Sequence, residues 1–198
     1  MKLVLATQNP KKLKEMNEIL SHLGVEVVSE AELGVRIEVE ETGETFPDNA
    51  RLKATAVMQA PGLPAVADDS GLCVDALNGG PGVYSARFGG EGLDDKGRYT
   101  LLLEMLRGQT DRAAHFHTSI VCAFPNGDEL VCEGECPGTI AFAPMGEGGF
   151  GYDPVFFVPE LRKTFGQLTA EEKASVSHRG KALRAFAAAL DDYLKGNE

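Results

Sequence analysis

The stretch LPAVADDSGL, residues 63–72, decides the fold class of this chain. Its apolar run predicts a buried β-strand, and Asp68, Asp69 and Ser70 follow directly where that strand is expected to end. An unpaired carboxylate in a buried position is energetically costly and therefore needs a partner. A bound cation is the simplest partner. A turn or a helix cap, where Asp and Ser are common, is the alternative.

The residues before this stretch alternate between strand and helix patterns. Two strand–helix crossovers in succession predict parallel strands, whose carboxyl ends gather ligands. We expect polar residues at those ends, namely Thr7, Asn9, Asp68 and Asp69. The predicted elements are, in order, strand 2–6, a helix between its N-cap Asn9 and Gly24, strand 25–29, helix 48–60 and strand 63–69.

The second half of the chain has a different pattern. After a predicted helix at 94–108, residues 114–124 and 129–135 flank an Asn-Gly turn and predict a hairpin, with GTIAF at 138–142 as a third antiparallel strand. Strand 154–158, a capping box at Thr169 and Glu172, and a helix over 177–195 follow. We therefore predict an α/β fold in one domain, residues 1–198, with a mixed sheet in two closely joined lobes, flanking helices and a central cleft.

Charge and composition narrow the function classes. The chain has 19 basic and 30 acidic residues and a net charge of −11, which repels nucleic-acid polymers and anionic membrane surfaces. The N-terminus lacks a signal-peptide pattern, and no segment is long enough to span a bilayer, so we expect a cytoplasmic protein. The four cysteines show no zinc-knuckle spacing and are expected to be reduced.

A small phosphorylated ligand remains compatible with this charge. Strand, polar loop and helix start together present unpaired N–H groups to an anion. Lys11 and Lys12 lie in the first helical turn, where basic side chains oppose the helix dipole. A bound phosphate would relieve that unfavourable placement.

Three further groups of residues are candidates for chemistry. Glu38, Glu40 and Glu41 form a second acidic cluster that, with the aspartates, suits an oxygen-ligated Mg²⁺. The glycine loop, residues 146–153, begins with GEGGFG at 146–151, which fits a dinucleotide fingerprint, but a strand and no helix is expected after it. Its glycines either form a flexible hairpin loop or let the backbone approach a ligand, with the Phe150 ring flat against that ligand.

The start of the last helix carries His178 and Arg179. They form either a solvated basic face or donors that read an acceptor oxygen or a phosphate. A serine hydrolase that uses Ser70 and His178 is not favoured, because Ser70 lacks the glycine that a nucleophile elbow has two residues before its serine.

Four stretches together resemble the inosine triphosphate pyrophosphatase family, which hydrolyses non-standard purine nucleoside triphosphates such as dITP, ITP and XTP. The resemblance runs from end to end and is closest to the bacterial branch. It implies a Mg²⁺-dependent enzyme, a homodimer and a central nucleotide-binding cleft. The stretches are ATQNPKKLKEM at 6–16, EETGETFPDNARLKA at 40–54, ADDSGLCVDAL with PGVYSARF at 67–88, and GGFGYDPVFF with EEKASVSHRGKAL at 148–183.

The resemblance also implies a role for each matching residue. Asp69 is implied as the proton acceptor and as a Mg²⁺ ligand together with Glu40, although Glu41 is an alternative to Glu40. Phe150 is implied to stack on the purine, and His178 and Arg179 to read its 6-oxo edge. The remaining substrate contacts implied are Thr7, Gln8, Asn9, Pro10, Lys11, Lys12, Lys53, Asp68, Ser70, Gly151, Tyr152, Asp153 and Lys173.

Two other classes compete with this interpretation. A nucleotide-binding sensor would keep the pocket without turnover, but a pure binder has no need of a base such as Asp69. A septum-inhibitor-like pyrophosphatase for modified pyrimidines has motifs that this chain lacks.

Overall fold

A computed structural model describes residues 1–7, 9–35 and 37–197, and only the backbone of Lys11. Within these residues the chain forms a seven-stranded sheet flanked by five α-helices, which confirms the predicted α/β class. The strands are β1 Lys2–Leu5, β2 Glu26–Ser29, β3 Ala65–Val74, β4 Ala113–Ala123, β5 Glu129–Ile140, β6 Phe156–Val158 and β7 Lys163–Thr164. The helices are α1 Pro10–Leu20, α2 Phe46–Gln59, α3 Asp95–Met105, α4 Ala170–Val176 and α5 His178–Gly196.

The sheet is mixed, with the order β2-β1-β3-β4-β5-β6-β7. Strand β1 pairs in parallel with both β2 and β3, as the two crossovers predicted. The predicted hairpin is confirmed, because β4 and β5 are neighbours and the Phe124 N–H donates to the Asp128 carbonyl at 3.0 Å. Strands β5, β6 and β7 pair antiparallel.

The chain divides into two compact units. The first comprises Met1–Asp69, Thr118–Gly134 and Lys181–Glu198, and the second comprises Ser70–His117 and Glu135–Gly180. In the first unit, β1 and the apolar faces of α1 and α5 form the main core, which includes Leu3, Leu5, Met16, Leu20, Phe186 and Leu190. In the second unit, Phe116, Phe156 and Phe165 form an aromatic core with Leu72, Leu102 and Tyr152.

Local sequence signals explain where several helices begin. The Thr45 hydroxyl caps α2 by accepting from the Asp48 N–H at 3.3 Å, so this helix begins earlier than the predicted residue 48. The capping box at Thr169 and Glu172 is confirmed, but it begins the short helix α4. A separate N-cap at Ser177, whose hydroxyl accepts from the Gly180 N–H at 3.1 Å, begins α5. None of the helices in the described ranges is both long and apolar enough to cross a membrane.

Two predictions about strands are wrong. Strand β3 does not end at the aspartates but continues through Asp68, Asp69 and Ser70 to Val74, so the alternative of a turn or helix cap there is also wrong. The segment GTIAF is not a third strand, because its first three residues are the end of β5.

Candidate functional site

The first unit contains a cluster of acidic and basic side chains on β3, α2 and the segment before α2. Lys53 of α2 lies between two carboxylates, with its Nζ 2.7 Å from Glu41 Oε1 and 3.2 Å from Asp69 Oδ1. The three side chains are largely buried, with exposed fractions of 19% for Lys53, 30% for Glu41 and 13% for Asp69. Two carboxylates that converge on one ammonium form a preorganised cation site.

Burial and charge act in opposite directions within this cluster. Burial raises the pKa of Asp69, the Lys53 charge lowers it, the Glu41 charge raises it, and the net direction is upward. Burial alone would lower the pKa of Lys53, but the Asp69 charge and the Glu41 hydrogen bond raise it overall. The Lys53 ammonium therefore keeps its charge while Asp69 becomes a stronger proton acceptor than an ordinary aspartate.

A second ion pair lies beside the first on β3. Lys12 of α1 donates to Asp68 Oδ2 at 2.6 Å, and the Asp68 side chain is 3% exposed. The two adjacent aspartates therefore each have a lysine partner from a different helix. This arrangement answers the electrostatic problem that the sequence posed at residues 68–69, because each buried charge is compensated.

Asn49 is a residue of this cluster that sequence reasoning missed. It is fully buried in α2, donates to Asp69 Oδ2 at 3.4 Å and accepts from the Gly43 N–H at 2.8 Å. A side chain at Gly43 would meet Asn49 Oδ1 at 2.7 Å, which explains the glycine there. An asparagine inside a helix is a signal in itself, because its side chain usually competes with the helical backbone.

The loop between β1 and α1 lies at the edge of two pockets in the first unit. Thr7 and Asn9 line an open pocket of about 480 Å³ together with Leu13 of α1. Thr7 also lines a smaller pocket of about 290 Å³ that contains Lys53 and Glu38. Thr7, Asn9 and Lys53, three of the expected phosphate contacts, therefore border neighbouring pockets.

The second unit contains the glycine loop and the residues that hold it. Asp153 is buried, and its Oδ2 accepts from the Phe150 N–H at 2.8 Å and from Lys173 Nζ at 2.5 Å. The Lys173 ammonium also lies 4.7 Å from the centroid of the Phe150 ring, which is 76% exposed. Burial raises the pKa of Asp153 although Lys173 opposes that shift. The loop thus presents an open aromatic face beside a buried ion pair.

Tyr152 and Gly149 fix the shape of this loop. The Tyr152 hydroxyl donates to the Ser85 carbonyl at 2.8 Å, and burial raises its pKa to about 12. Gly149 has φ +80°, and a side chain there would lie 1.9 Å from Asp153 Oδ2. Close approach of backbone and carboxylate therefore requires the glycine.

His178 and Arg179 are not a solvated basic face, so that alternative is wrong. The His178 ring stacks on Phe116 with a centroid distance of 4.6 Å and an interplanar angle of 11°. Burial lowers the pKa of Arg179 to about 10. Gly180 lets the start of α5 approach α4, because a side chain there would lie 2.2 Å from the Ala174 carbonyl.

Comparison with known proteins places these features in a family. The sequence matches the Ham1 family over residues 3–189. The chain belongs to the Ham1 family. An Exiguobacterium protein named dITP/XTP pyrophosphatase is 50% identical over 196 residues, which cover 99% of this chain and 100% of the relative. A Desulforamulus reducens protein of the same name is 54% identical over 186 residues, or 93% of this chain and 92% of the relative.

A solved structure agrees with the family assignment. The Staphylococcus aureus Ham1 protein is similar with a TM-score of 0.91 and 41% identity, and the match covers 100% of both chains. Together with the dITP/XTP pyrophosphatase names of the relatives, this confirms the resemblance to inosine triphosphate pyrophosphatases that the sequence motifs indicated.

Within this Ham1-family chain the predicted residues fall into two groups. The first unit brings Lys12 to Asp68 and Lys53 to Asp69, and the second brings Phe150, Asp153 and Lys173 together. Ser70, Gly151 and Tyr152 lie in the second unit, and Pro10 begins α1 in the first. Gln8 lies outside the described residues, as does the side chain of Lys11.

Of the two acidic residues proposed beside Asp69, Glu41 is the one that the fold brings there. Its carboxylate shares the Lys53 ammonium with Asp69, whereas Glu40 is exposed and has no ion pair within the described part of the chain. The assignment of Glu40 as a metal ligand stays a prediction.

Proposed function

We propose that this chain hydrolyses non-standard purine nucleoside triphosphates (dITP, ITP and XTP) to the monophosphate and pyrophosphate. The observation that carries the proposal is the convergence of Glu41 and Asp69 on the Lys53 ammonium. The chain belongs to the Ham1 family and is half identical to named dITP/XTP pyrophosphatases, which supports an assignment of the metal and the proton acceptor to this site.

The residues of the first unit fit Mg²⁺. Carboxylate oxygens are the ligands that Mg²⁺ prefers, and it usually takes one or two of them together with substrate phosphates. The described residues contain no group of three or more His, Cys, Asp or Glu side chains that could hold a metal ion. Asp69 and Glu41 would hold the ion, with Glu40 as the alternative to Glu41. When bound, Mg²⁺ neutralises phosphate charge as a Lewis acid.

The first unit supplies the contacts to the triphosphate. The N–H groups at the start of α1 and the residues from Thr7 to Lys12 bind phosphate oxygens, and Lys53 adds a second ammonium. Asp68 orients Lys12 through their 2.6 Å hydrogen bond. The Ser70 hydroxyl, next to Asp69 on β3, provides a further contact to the substrate.

Asp69 acts as the general base. Its raised pKa makes it a better acceptor at neutral pH, and Asn49 and Lys53 fix its orientation. It takes a proton from the water that attacks the α-phosphorus. The bond from the α-phosphorus to the bridging oxygen then breaks, and pyrophosphate leaves.

The second unit supplies the contacts to the base. Phe150 stacks on the purine, and Gly151, Tyr152 and Asp153 shape the surface around it. Lys173, His178 and Arg179 present donors, which suit a 6-oxo acceptor and meet the 6-amino group of adenine badly. This chemistry predicts that ATP is a poor substrate.

The test is product analysis with dITP, XTP, dGTP and dATP in the presence of Mg²⁺. We expect pyrophosphate from dITP and XTP and little from the standard nucleotides dGTP and dATP. Asp69→Asn is expected to abolish turnover while it spares most of the affinity for dITP, whereas Asp192→Asn, at an exposed position of α5, leaves both unchanged. Release of single phosphate would refute attack at the α-phosphorus, and tight binding of dITP without turnover would indicate a sensor.

We further propose that the protein works in the cytoplasm as a homodimer, without nucleic-acid or membrane partners. The net charge of −11 and four free cysteines support this setting. Tyr84, which is 57% exposed within the 83–88 segment, is a candidate interface residue. Light scattering coupled to gel filtration measures the mass, and a mass of one chain at micromolar concentration would refute the dimer.

A further inference from the structure

The glycine loop is held differently at its ends and at its tip. Near the ends, backbone bonds connect Met145 to Pro154 at 2.8 Å and Gly148 to Gly166 at 3.0 Å. At the tip, the two successive N–H groups of Phe150 and Gly151 donate to side-chain carboxylates. The tip has a backbone bond of its own, from the Asp153 N–H to the Phe150 carbonyl at 3.2 Å, but acidic side chains hold both of these N–H groups.

The carboxylate that binds the Gly151 N–H belongs to Asp95, the first residue of α3. Its Oδ2 lies 2.7 Å from that nitrogen. Its Oδ1 lies 3.9 Å from Arg98 Nη1, one turn further along the same helix. Asp95 thus ties the glycine loop to a helix 56 residues earlier in the chain, and Arg98 partly balances its charge.

We infer that Asp95 is a positioning residue for purine binding, which acts by holding the peptide between Phe150 and Gly151. This inference rests on the proposed role of Phe150 in stacking on the base. The Phe150 ring is 76% exposed, so side-chain packing does little to fix it, and its place above the Lys173 ammonium depends on the backbone behind it. Without the Asp95 acceptor, that peptide keeps the 3.2 Å bond from the Asp153 N–H to the Phe150 carbonyl but loses the bond at its own N–H, so its orientation is held less firmly.

The charge of Asp95 also reaches the neighbouring ion pair. Burial is the main reason that the pKa of Asp153 is raised, and the Asp95 charge adds to that rise. Asp95 therefore influences both the ring that stacks and the buried carboxylate that anchors it. Neither effect involves the phosphates or Asp69, so the hydrolytic step itself is expected to be unaffected.

Asp94, the residue before Asp95 in the sequence, provides a matched control. Its Oδ1 caps α3 by accepting from the Gly97 N–H at 2.7 Å, whereas Asp95 binds the glycine loop. If Asp94 and Asp95 had a purely structural role, both alanine variants would lower the Tm and change KM to the same extent. A positioning role predicts that only the Asp95 variant changes substrate binding.

The experiment compares Asp95→Ala, Asp95→Asn and Asp94→Ala by Tm and by kcat and KM for dITP with Mg²⁺. Asp95→Ala is expected to raise KM about five- to tenfold with kcat within about twofold, as for a partly exposed bond to a charged acceptor. Asp95→Asn keeps an acceptor oxygen and restores most of the affinity. Asp94→Ala lowers Tm with KM unchanged. Equal effects of the two alanine variants on KM, or an unchanged KM in Asp95→Ala, would overturn the inference.

A second readout separates this inference from the proposed function. Amide hydrogen exchange and chemical shift of Gly151, followed by NMR in the absence of nucleotide, report the bond directly. In Asp95→Ala we expect faster exchange at Gly151 and shifts at Phe150, while Asp94→Ala leaves both as in the wild type. If the wild type fails to hydrolyse dITP, the proposed function is refuted. Independently of that result, an unaltered Gly151 signal in Asp95→Ala refutes the role of Asp95 in holding the loop.

Discussion

Lys53 Nζ lies 3.2 Å from Asp69 Oδ1, and this single ammonium is shared with Glu41 at 2.7 Å. The lysine therefore compensates two partly buried carboxylates at once. Because removal of one member leaves uncompensated charge, this cluster is sensitive to substitution.

Lys53→Met is expected to lower the free energy of unfolding by about 1–3 kcal/mol, since Glu41 and Asp69 would repel each other without the ammonium. Urea denaturation measures the loss. Lys14→Met serves as the control, because Lys14 is 79% exposed and lies 3.7 Å from Glu18. Its free energy of unfolding is expected to fall by no more than about 0.5 kcal/mol. Equal losses in the two variants would contradict the cluster's role.

Mg²⁺ is expected to stabilise Lys53→Met more than the wild type, because a divalent cation replaces the missing charge between the same two carboxylates. Thermal unfolding with and without millimolar Mg²⁺, with EDTA as the reference, measures the difference in Tm. The same rise in both proteins would place the metal elsewhere.

Arg179→Met is expected to raise the free energy of unfolding by about 1 kcal/mol while it weakens dITP binding. Burial lowers the pKa of Arg179 to about 10 in the fold, well below the ordinary value of an arginine, so the unfolded state holds the proton more tightly. The charged form therefore costs stability at every pH below about 10.

The control for this variant is Arg184→Met on the exposed face of the same helix, where stability and KM are both expected to stay near the wild type. Denaturation at pH 7 and steady-state kinetics provide the two measurements. A less stable Arg179→Met protein would show that the interactions of the guanidinium outweigh its burial.

Lys173→Met is expected to raise the pKa of Asp153 further, because the Lys173 charge and hydrogen bond are what oppose the effect of burial. As the pH falls, Asp153 then protonates earlier, and the acid limb of the activity profile moves to higher pH. Carboxyl ¹³C NMR measures the titration. Lys163→Met, which removes the 2.8 Å bond to Glu172 instead, is expected to leave Asp153 unchanged, and a shift there would refute the assignment.

Gly149→Ala is expected to raise KM for dITP about tenfold or more, since the added methyl group would lie 1.9 Å from Asp153 Oδ2 and displace the loop. Gly108→Ala is the matched control, because its φ of +81° is almost equal to the +80° of Gly149 and its surroundings are open. In both variants, backbone strain is expected to lower the free energy of unfolding by about 1 kcal/mol. Only Gly149→Ala changes KM, and an effect shared by both would assign it to strain alone.

Local patterns in the sequence determined much of the fold. The alternation of strand and helix signals predicted the parallel pairs of β1, the Asn126–Gly127 turn predicted the hairpin, and the Thr169 capping box predicted a helix start. These features depend on residues a few positions apart, where periodicity and capping act directly. The motif order also identified the family.

The tertiary structure alone decided which side chains meet. Lys12 and Asp68 are 56 residues apart, Lys53 and Asp69 are 16 apart, and Glu41 rather than Glu40 reaches Lys53. Strand β3 continues through its aspartates because lysines from two helices compensate their charge, which no local pattern shows. Contacts of this kind depend on how distant segments pack, so the sequence named the candidate residues and the fold determined their partners.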